Sequence, residues 1–243
     1  MRSILVVLSI LLTGLTFGII SSCGTSLSNT KKTIVASNIQ LAFDASVHLS
    51  MVSKDNGKLT HLGNASGVII GYSTGGRARI LTCAHVVKRA TNFNGVVIAN
   101  IEDKEYPTIV LKLKEDLDLA LIETMQETSY TSFVKLASFS PKKGERVWVI
   151  GSTNGVPLTI TGGHLSNKIT LSGTKIYMVS APAFFGNSGG GVFNTKQELI
   201  GIFFAVQTMS LGGFSEELGL RNVPIDGGGL AVSREEIITF LGR

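Results

Sequence analysis

Three short stretches of the chain place reactive side chains where an apolar run meets a turn. They are His85 in Ile80-Leu81-Thr82-Cys83-Ala84-His85-Val86-Val87, Asp118 in Asp116-Leu117-Asp118-Leu119-Ala120-Leu121-Ile122, and Ser188 in Gly186-Asn187-Ser188-Gly189-Gly190-Gly191. A serine hydroxyl attacks carbonyl carbon usefully only when a neighbouring base takes its proton, and an imidazole is such a base when a carboxylate fixes its tautomer. The glycines around Ser188 let backbone N–H groups converge, which is what a developing oxyanion needs. Each stretch also has a plain structural reading. His85 is a histidine at a strand end beside a tight turn, and the Ser188 motif alone is a Gly-rich hairpin turn. Asp118 enters an apolar strand, where a buried carboxylate is costly unless something specific donates to it, and an imidazole would be that donor.

Together the three occur in the order His, Asp, Ser, one of several unrelated orders in which this constellation arises. The serine-first order of the α/β-hydrolases differs, which argues against an esterase of that kind. The elements around the motifs are strands. Glycine is abundant (28) and proline scarce (5), and Val, Ile and Thr recur in short runs bounded by Gly, Asn, Ser and Asp. One set of runs covers 45–52, 67–71, 79–82, 96–100, 108–113 and 119–123. After a polar connector near 124–145, a second covers 146–151, 159–165, 176–180, 191–193, 199–206 and 229–232. This pattern predicts an all-β fold of two six-stranded antiparallel barrels, about 41–123 and 145–232, with the active-site cleft between them. A short helix over about 234–241 closes the chain, capped by Ser233 with Glu236 three residues on. Residues 39–243 therefore read as one catalytic domain.

The stretches LTCAHVV, DLDLALI, GERVWVIGSTNGVPLTITGGHLS and GNSGGGVFN followed by LIGIFFAV resemble the protease domain of the HtrA/DegP family of trypsin-like serine proteases, from about Ser66 to the final helix. The resemblance implies a serine endopeptidase acting on protein or peptide substrates through His85, Asp118 and Ser188, with no cofactor and no metal. The backbone N–H groups of Gly186 and Ser188 would form the oxyanion hole. Asp116 competes for the acid role and alternation separates neither candidate; the Leu-Ala-Leu-Ile after Asp118 matches the family strand and favours it. Ala183, Phe204, Ala205 and Val206 fall at substrate-binding positions, with 204–206 beside the substrate backbone as an added strand and Val206 narrowing the pocket. Pro182 to Phe185 offer no acid for Lys or Arg, so the expected preference is for small or aliphatic residues before the cut. Digestive relatives carry an Asp before the nucleophile that pairs with a freshly cut N-terminal amine. Here Asn187 cannot form that pair, so ordering of loops by substrate or neighbouring subunits is expected instead. The PDZ modules common in the family do not follow the helix, which ends the chain at Arg243. A homotrimer is a family trait that no residue here specifies. A protease fold retained for binding or chaperone-like work, without turnover, is the competing expectation.

Residues 1–23 stand apart. Arg2 is followed by an apolar stretch over 4–20 and by Ile20-Ser21-Ser22-Cys23, which resembles a bacterial lipobox. The expectation is a lipoprotein signal peptide, lipidation at Cys23 and anchoring at the membrane on the periplasmic or other extracytoplasmic face of a bacterial envelope. An uncleaved anchor and ordinary secretion are the alternatives. Residues 24–38 are small and polar, as a flexible tether would be. The formal charge of +5 comes from isolated Lys and Arg residues with no aromatic-interleaved basic run, which excludes a nucleic-acid groove. The second cysteine, Cys83, lies among apolar residues and reads as a small buried hydrophobe.

Overall fold

The computed structural model describes residues 39–55, 58–153, 155–209 and 223–243; the expected leader, the tether and Cys23 lie outside them. The first half forms β1 (Ser46–Asp55), β2 (Lys58–Tyr72), β3 (Ala78–Thr82), β4 (Gly95–Ile101), β5 (Lys104–Lys114) and β6 (Leu119–Thr124). The second forms β7 (Arg146–Ser152), β8 (Leu158–Leu171), β9 (Thr174–Val179), β10 (Gly191–Phe193), β11 (Leu199–Met209) and β12 (Val223–Ser233). Each set closes into an antiparallel barrel, in the order β1-β2-β3-β6-β5-β4 and β10-β11-β12-β9-β8-β7. Among the described residues closure gives every strand a partner on both sides, although β11 runs on past Ile202, where its pairing with β10 stops. Side-chain alternation fills the interiors: Val97, Ala99 and Ile101 of β4 and Val147 and Val149 of β7 point inward and are buried. The fold class matches the expectation from the sequence.

Among the described residues three helices accompany the strands: α1 (Gln40–Asp44), α2 (Ala84–Asn92) and α3 (Arg234–Leu241). Of these only α3 is anticipated above. Its Ser233 side chain accepts from the Glu236 N–H as a cap should, and Gly242, at φ 72°, ends it in the left-handed conformation that favours glycine. α2 replaces the tight turn expected at His85. It buries Ala84, Val86, Val87 and Ala90 along one face, a helical spacing too short to stand out beside the β-branched Val86-Val87. None of the described helices is long and apolar enough to cross a membrane.

The two barrels share a core. Ile150, Phe193, Leu199, Ile202 and Val232 of the second barrel, with Ile237 and Phe240 of α3, pack in one buried cluster with Leu49, Val68, Ile80 and Ile122 of the first. The connector between the barrels is stitched to both: the Val134 N–H donates to the Ile69 carbonyl (3.1 Å) and the Ala137 N–H to the Leu199 carbonyl (2.9 Å).

Candidate active site

β3 ends at Thr82, Cys83 occupies the N-cap position of α2, and His85 is the second residue of that helix. The first N–H groups of any helix lack partners within it, and Cys83 makes no side-chain cap. Asp118 supplies the missing acceptor from another part of the chain. Its Oδ1 accepts from the His85 backbone N–H at 2.8 Å and its Oδ2 from His85 Nδ1 at 2.7 Å. Nδ1 faces the carboxylate, which can only accept, so in a neutral ring Nδ1 is the donor and Nε2 the acceptor turned away from it. Asp118 is not buried inside the apolar strand, as the sequence suggests, but sits in the turn just before β6. There its N–H donates to the Glu115 carbonyl (3.0 Å), its φ is 51°, and its side chain keeps 25% of its exposure. Asp and Asn are the non-glycine residues that tolerate this left-handed conformation best. Asp116 points elsewhere, to Lys114 at 3.4 Å, with 69% of its side chain exposed.

Ser188 comes from the second barrel, in the loop between β9 and β10. The loop is held by main-chain bonds: Asn187 N–H to Phe184 O (3.2 Å), Gly190 N–H to Asn187 O (2.8 Å) and Gly189 N–H to Phe203 O (2.7 Å). Gly186 and Gly189 adopt φ of 99° and 86°, conformations that favour glycine, and a Cβ on Gly189 would run into the Ser66 carbonyl. The Ser66 N–H donates to the Ser188 carbonyl at 2.8 Å, so β2 of the first barrel lies directly against the Ser188 loop. Within the described residues neither the Gly186 N–H nor the Ser188 N–H donates to a protein acceptor. Both are available to an oxyanion. Ser188 Oγ lies 3.5 Å from the Phe204 carbonyl, and no bond joins it to His85 among the described residues; such contacts commonly tighten only when substrate arrives.

The model of the trypsin-like peptidase domain matches residues 65–202, more than half of the chain. The chain belongs to this family. Among curated relatives, a probable periplasmic serine endoprotease DegP-like from Buchnera aphidicola subsp. Baizongia pistaciae is 29% identical over 207 residues, covering 79% of this chain and 43% of that protein. The periplasmic pH-dependent serine endoprotease DegQ of Escherichia coli is 28% identical over 162 residues, 65% of this chain and 34% of that protein. The chain thus spans less than half the length of these relatives. Among solved structures, the active form of the Rv3671c protease from M. tuberculosis superposes with a TM-score of 0.64 at 18% identity, covering 96% of this chain and 93% of that one. At that identity the likeness speaks to the fold.

Beside Ser188 of this trypsin-like peptidase domain, Asn187 is 1% exposed and its Oδ1 accepts from Thr153 Oγ1 (3.1 Å), which contacts Thr159 Oγ1 (2.9 Å). A neutral threonine pair thus occupies the surroundings of a side chain that, as an acid, would require a cation. Ala183 is buried, Phe204 and Ala205 are half-buried on β11, and the side chain of Val206 lies outside the described residues. Phe184 and Phe185 are exposed immediately before Gly186. Cys83 is fully buried, its Sγ 3.4 Å from the Phe203 carbonyl, and burial, with the Asp118 charge second, pushes its thiol well above the usual range. Donor atoms of Cys83, His85 and Asp118 lie within 4.8 Å of one another, but the Nδ1 proton and the carboxylate already satisfy each other and the thiol stays protonated, so the trio does not suit a metal ion. The sequence reading missed Ser66, Thr82 and Thr153. For Ser66 a signal existed: a hydroxyl in the otherwise apolar Ala65-Ser66-Gly67-Val68-Ile69-Ile70.

Proposed function

We propose that the chain is a serine endopeptidase in which Ser188 Oγ attacks the scissile carbonyl. His85 Nε2 takes the hydroxyl proton and passes it to the leaving amine, while Asp118 holds the imidazole and stabilises its charged form. The N–H groups of Gly186 and Ser188 receive the oxyanion, and water then releases the acyl-enzyme. The observation that carries this reading is the two-point grip of Asp118 on His85, which turns Nε2 away from the carboxylate. Ala183, and the stretch of β11 at Phe204 to Val206 that runs past its pairing with β10, support a pocket for a small or aliphatic residue before the cut, with the substrate backbone running beside β11.

In this reading the substrates are unfolded or envelope proteins. The relatives named as periplasmic support an extracytoplasmic location, and the ending Ile20-Ser21-Ser22-Cys23 supports membrane attachment through a lipidated Cys23 after removal of residues 1–22. Trimer formation, as in the resembled family, belongs to the same reading. The second reading, a protease fold kept for binding, draws on the placement of Ser188 Oγ near the Phe204 carbonyl instead of His85. A fluorophosphonate probe and casein separate the two. The endopeptidase labels and digests, and Ser188→Ala does neither; a wild-type protein that stays unlabelled in both membrane and soluble fractions, even with peptide substrate added to order its loops, removes the enzymatic reading.

A further inference from the structure

We propose that Ser66 is a positioning residue of the oxyanion hole, a side chain from the first barrel that fixes the orientation of the Gly186 backbone in the second. The inference rests on the serine endopeptidase reading above. Ser66 is completely buried, and every polar group it owns is committed to the wall beneath Ser188. Its hydroxyl donates to the Gly186 carbonyl (2.8 Å) and accepts from the Ser152 N–H (2.8 Å). Its N–H donates to the Ser188 carbonyl (2.8 Å), and its own carbonyl accepts from Thr82 Oγ1 (2.8 Å).

The consequence lies in the peptide planes. The Gly186 carbonyl and the Gly186 N–H leave the same α-carbon, and glycine resists rotation less than any other residue. At φ 99° its N–H keeps its direction only while the planes on either side are pinned. The Asn187 N–H to Phe184 O bond pins one end of the plane between Gly186 and Asn187, and the Ser66 hydroxyl pins the other. Without that donor the plane is held at its Asn187 end alone, and the adjoining Gly186 N–H is less firmly oriented. Ser152 N–H, buried at the end of β7, would also lose its acceptor, so the same change loosens the β7 end next to Thr153, the partner of Asn187. Ser66 reaches Gly186 and Ser152 by one hydroxyl, donor to one and acceptor from the other, which neither an apolar residue nor a pure donor at this position reproduces.

The test uses the full protein and an isosteric pair, Ser66→Thr and Ser66→Val, beside Ser66→Ala. With an aliphatic peptide ester, Ser66→Ala and Ser66→Val are expected to lose on the order of 10- to 100-fold in kcat with KM little changed, less than outright removal of an oxyanion donor. A peptide aldehyde, whose adduct needs the oxyanion hole, should lose affinity in parallel, while a non-covalent product peptide should not. The low-field NMR signal of the His85 Nδ1 proton should persist, showing that the base is intact. Ser66→Thr, which keeps the hydroxyl in the shape of valine, should recover most of the rate. Wild-type kcat and aldehyde affinity in Ser66→Ala, equal losses in Ser66→Thr and Ser66→Val, or unfolding of all three at the assay temperature each overturn the proposal, the last by assigning Ser66 to folding alone. If the wild type itself shows no Ser188-dependent hydrolysis, the endopeptidase reading has failed instead.

Discussion

Asp118 touches His85 twice, once through the backbone and once through the ring, so substitutions there separate catalysis from folding. Asparagine tolerates φ 51° and its amide oxygen still accepts from the His85 N–H, but its NH2 group then faces Nδ1 and selects the wrong tautomer. Asp118→Asn should therefore lower kcat by about 10⁴-fold with a thermal midpoint near that of the wild type. Asp118→Ala should lose a comparable amount of kcat and also unfold at lower temperature. It places alanine at a left-handed position, costing about 1 kcal/mol, and leaves the first turn of α2 without its acceptor, costing about 1 kcal/mol more. Steady-state kinetics and calorimetry on the same two variants read both effects. At Cys83 burial dominates: the thiol remains protonated in the native protein and out of reach. A maleimide or disulfide reagent should leave Cys83 unmodified in buffer and label it fully in guanidinium; rapid native labelling would contradict the packing described.

At the scale of elements, the loop carrying Ser188 and the end of β7 are joined through Asn187 and Thr153. Replacing Asn187 by Asp would put a carboxylate in a fully buried niche whose described partner is a threonine hydroxyl, at a cost of several kcal/mol. That variant should lose activity and thermal stability together, the stability recovering in part as the pH is lowered and the carboxyl takes up a proton; full activity at neutral pH after N-terminal trimming would contradict it. α3 docks on β9 through the Tyr177 hydroxyl, which donates to Glu235 Oε2 at 2.6 Å. Burial pushes the Glu235 carboxyl up, but donation from Tyr177, from its own N–H and from Ser140 and Ser233 outweighs burial, and the net shift is down from the ordinary 4.5. A lowered carboxyl contributes stability above its unfolded value and loses it as pH falls through the folded one. The gap in thermal midpoint between wild type and Tyr177→Phe should hold at neutral pH and shrink below about pH 4.5. The strands and α3 were legible in the sequence because alternation, turn residues and the Ser233–Glu236 cap are local signals. α2 was not, because its helix depends on a carboxylate 33 residues away. The same holds for the site: His85 and Ser188 announce themselves by their neighbours, whereas the choice between Asp116 and Asp118 turns on a non-local bond, and Ser66 and Thr153 act through partners in distant strands.

Across the whole molecule the two barrels and α3 share one buried cluster, beside a smaller one around the second barrel, and a shared core of this kind is expected to unfold as a single cooperative unit. Phe240 is 1% exposed at the end of α3, and Lys112 of the first barrel lies 5.1 Å above its ring and donates to its carbonyl. Phe240→Ala should destabilise the protein by about 3–5 kcal/mol and keep a single unfolding transition by calorimetry; two separated transitions would show that the barrels fold independently. The contact between Ser66 and the Ser188 loop has a further consequence. His85 and Asp118 belong to one barrel and Ser188 to the other, so in the proposed endopeptidase hydrolysis would depend on the seam between them staying shut. In that reading a copy whose barrels part would lose its hydrolytic site, so activity would report on the intactness of the fold.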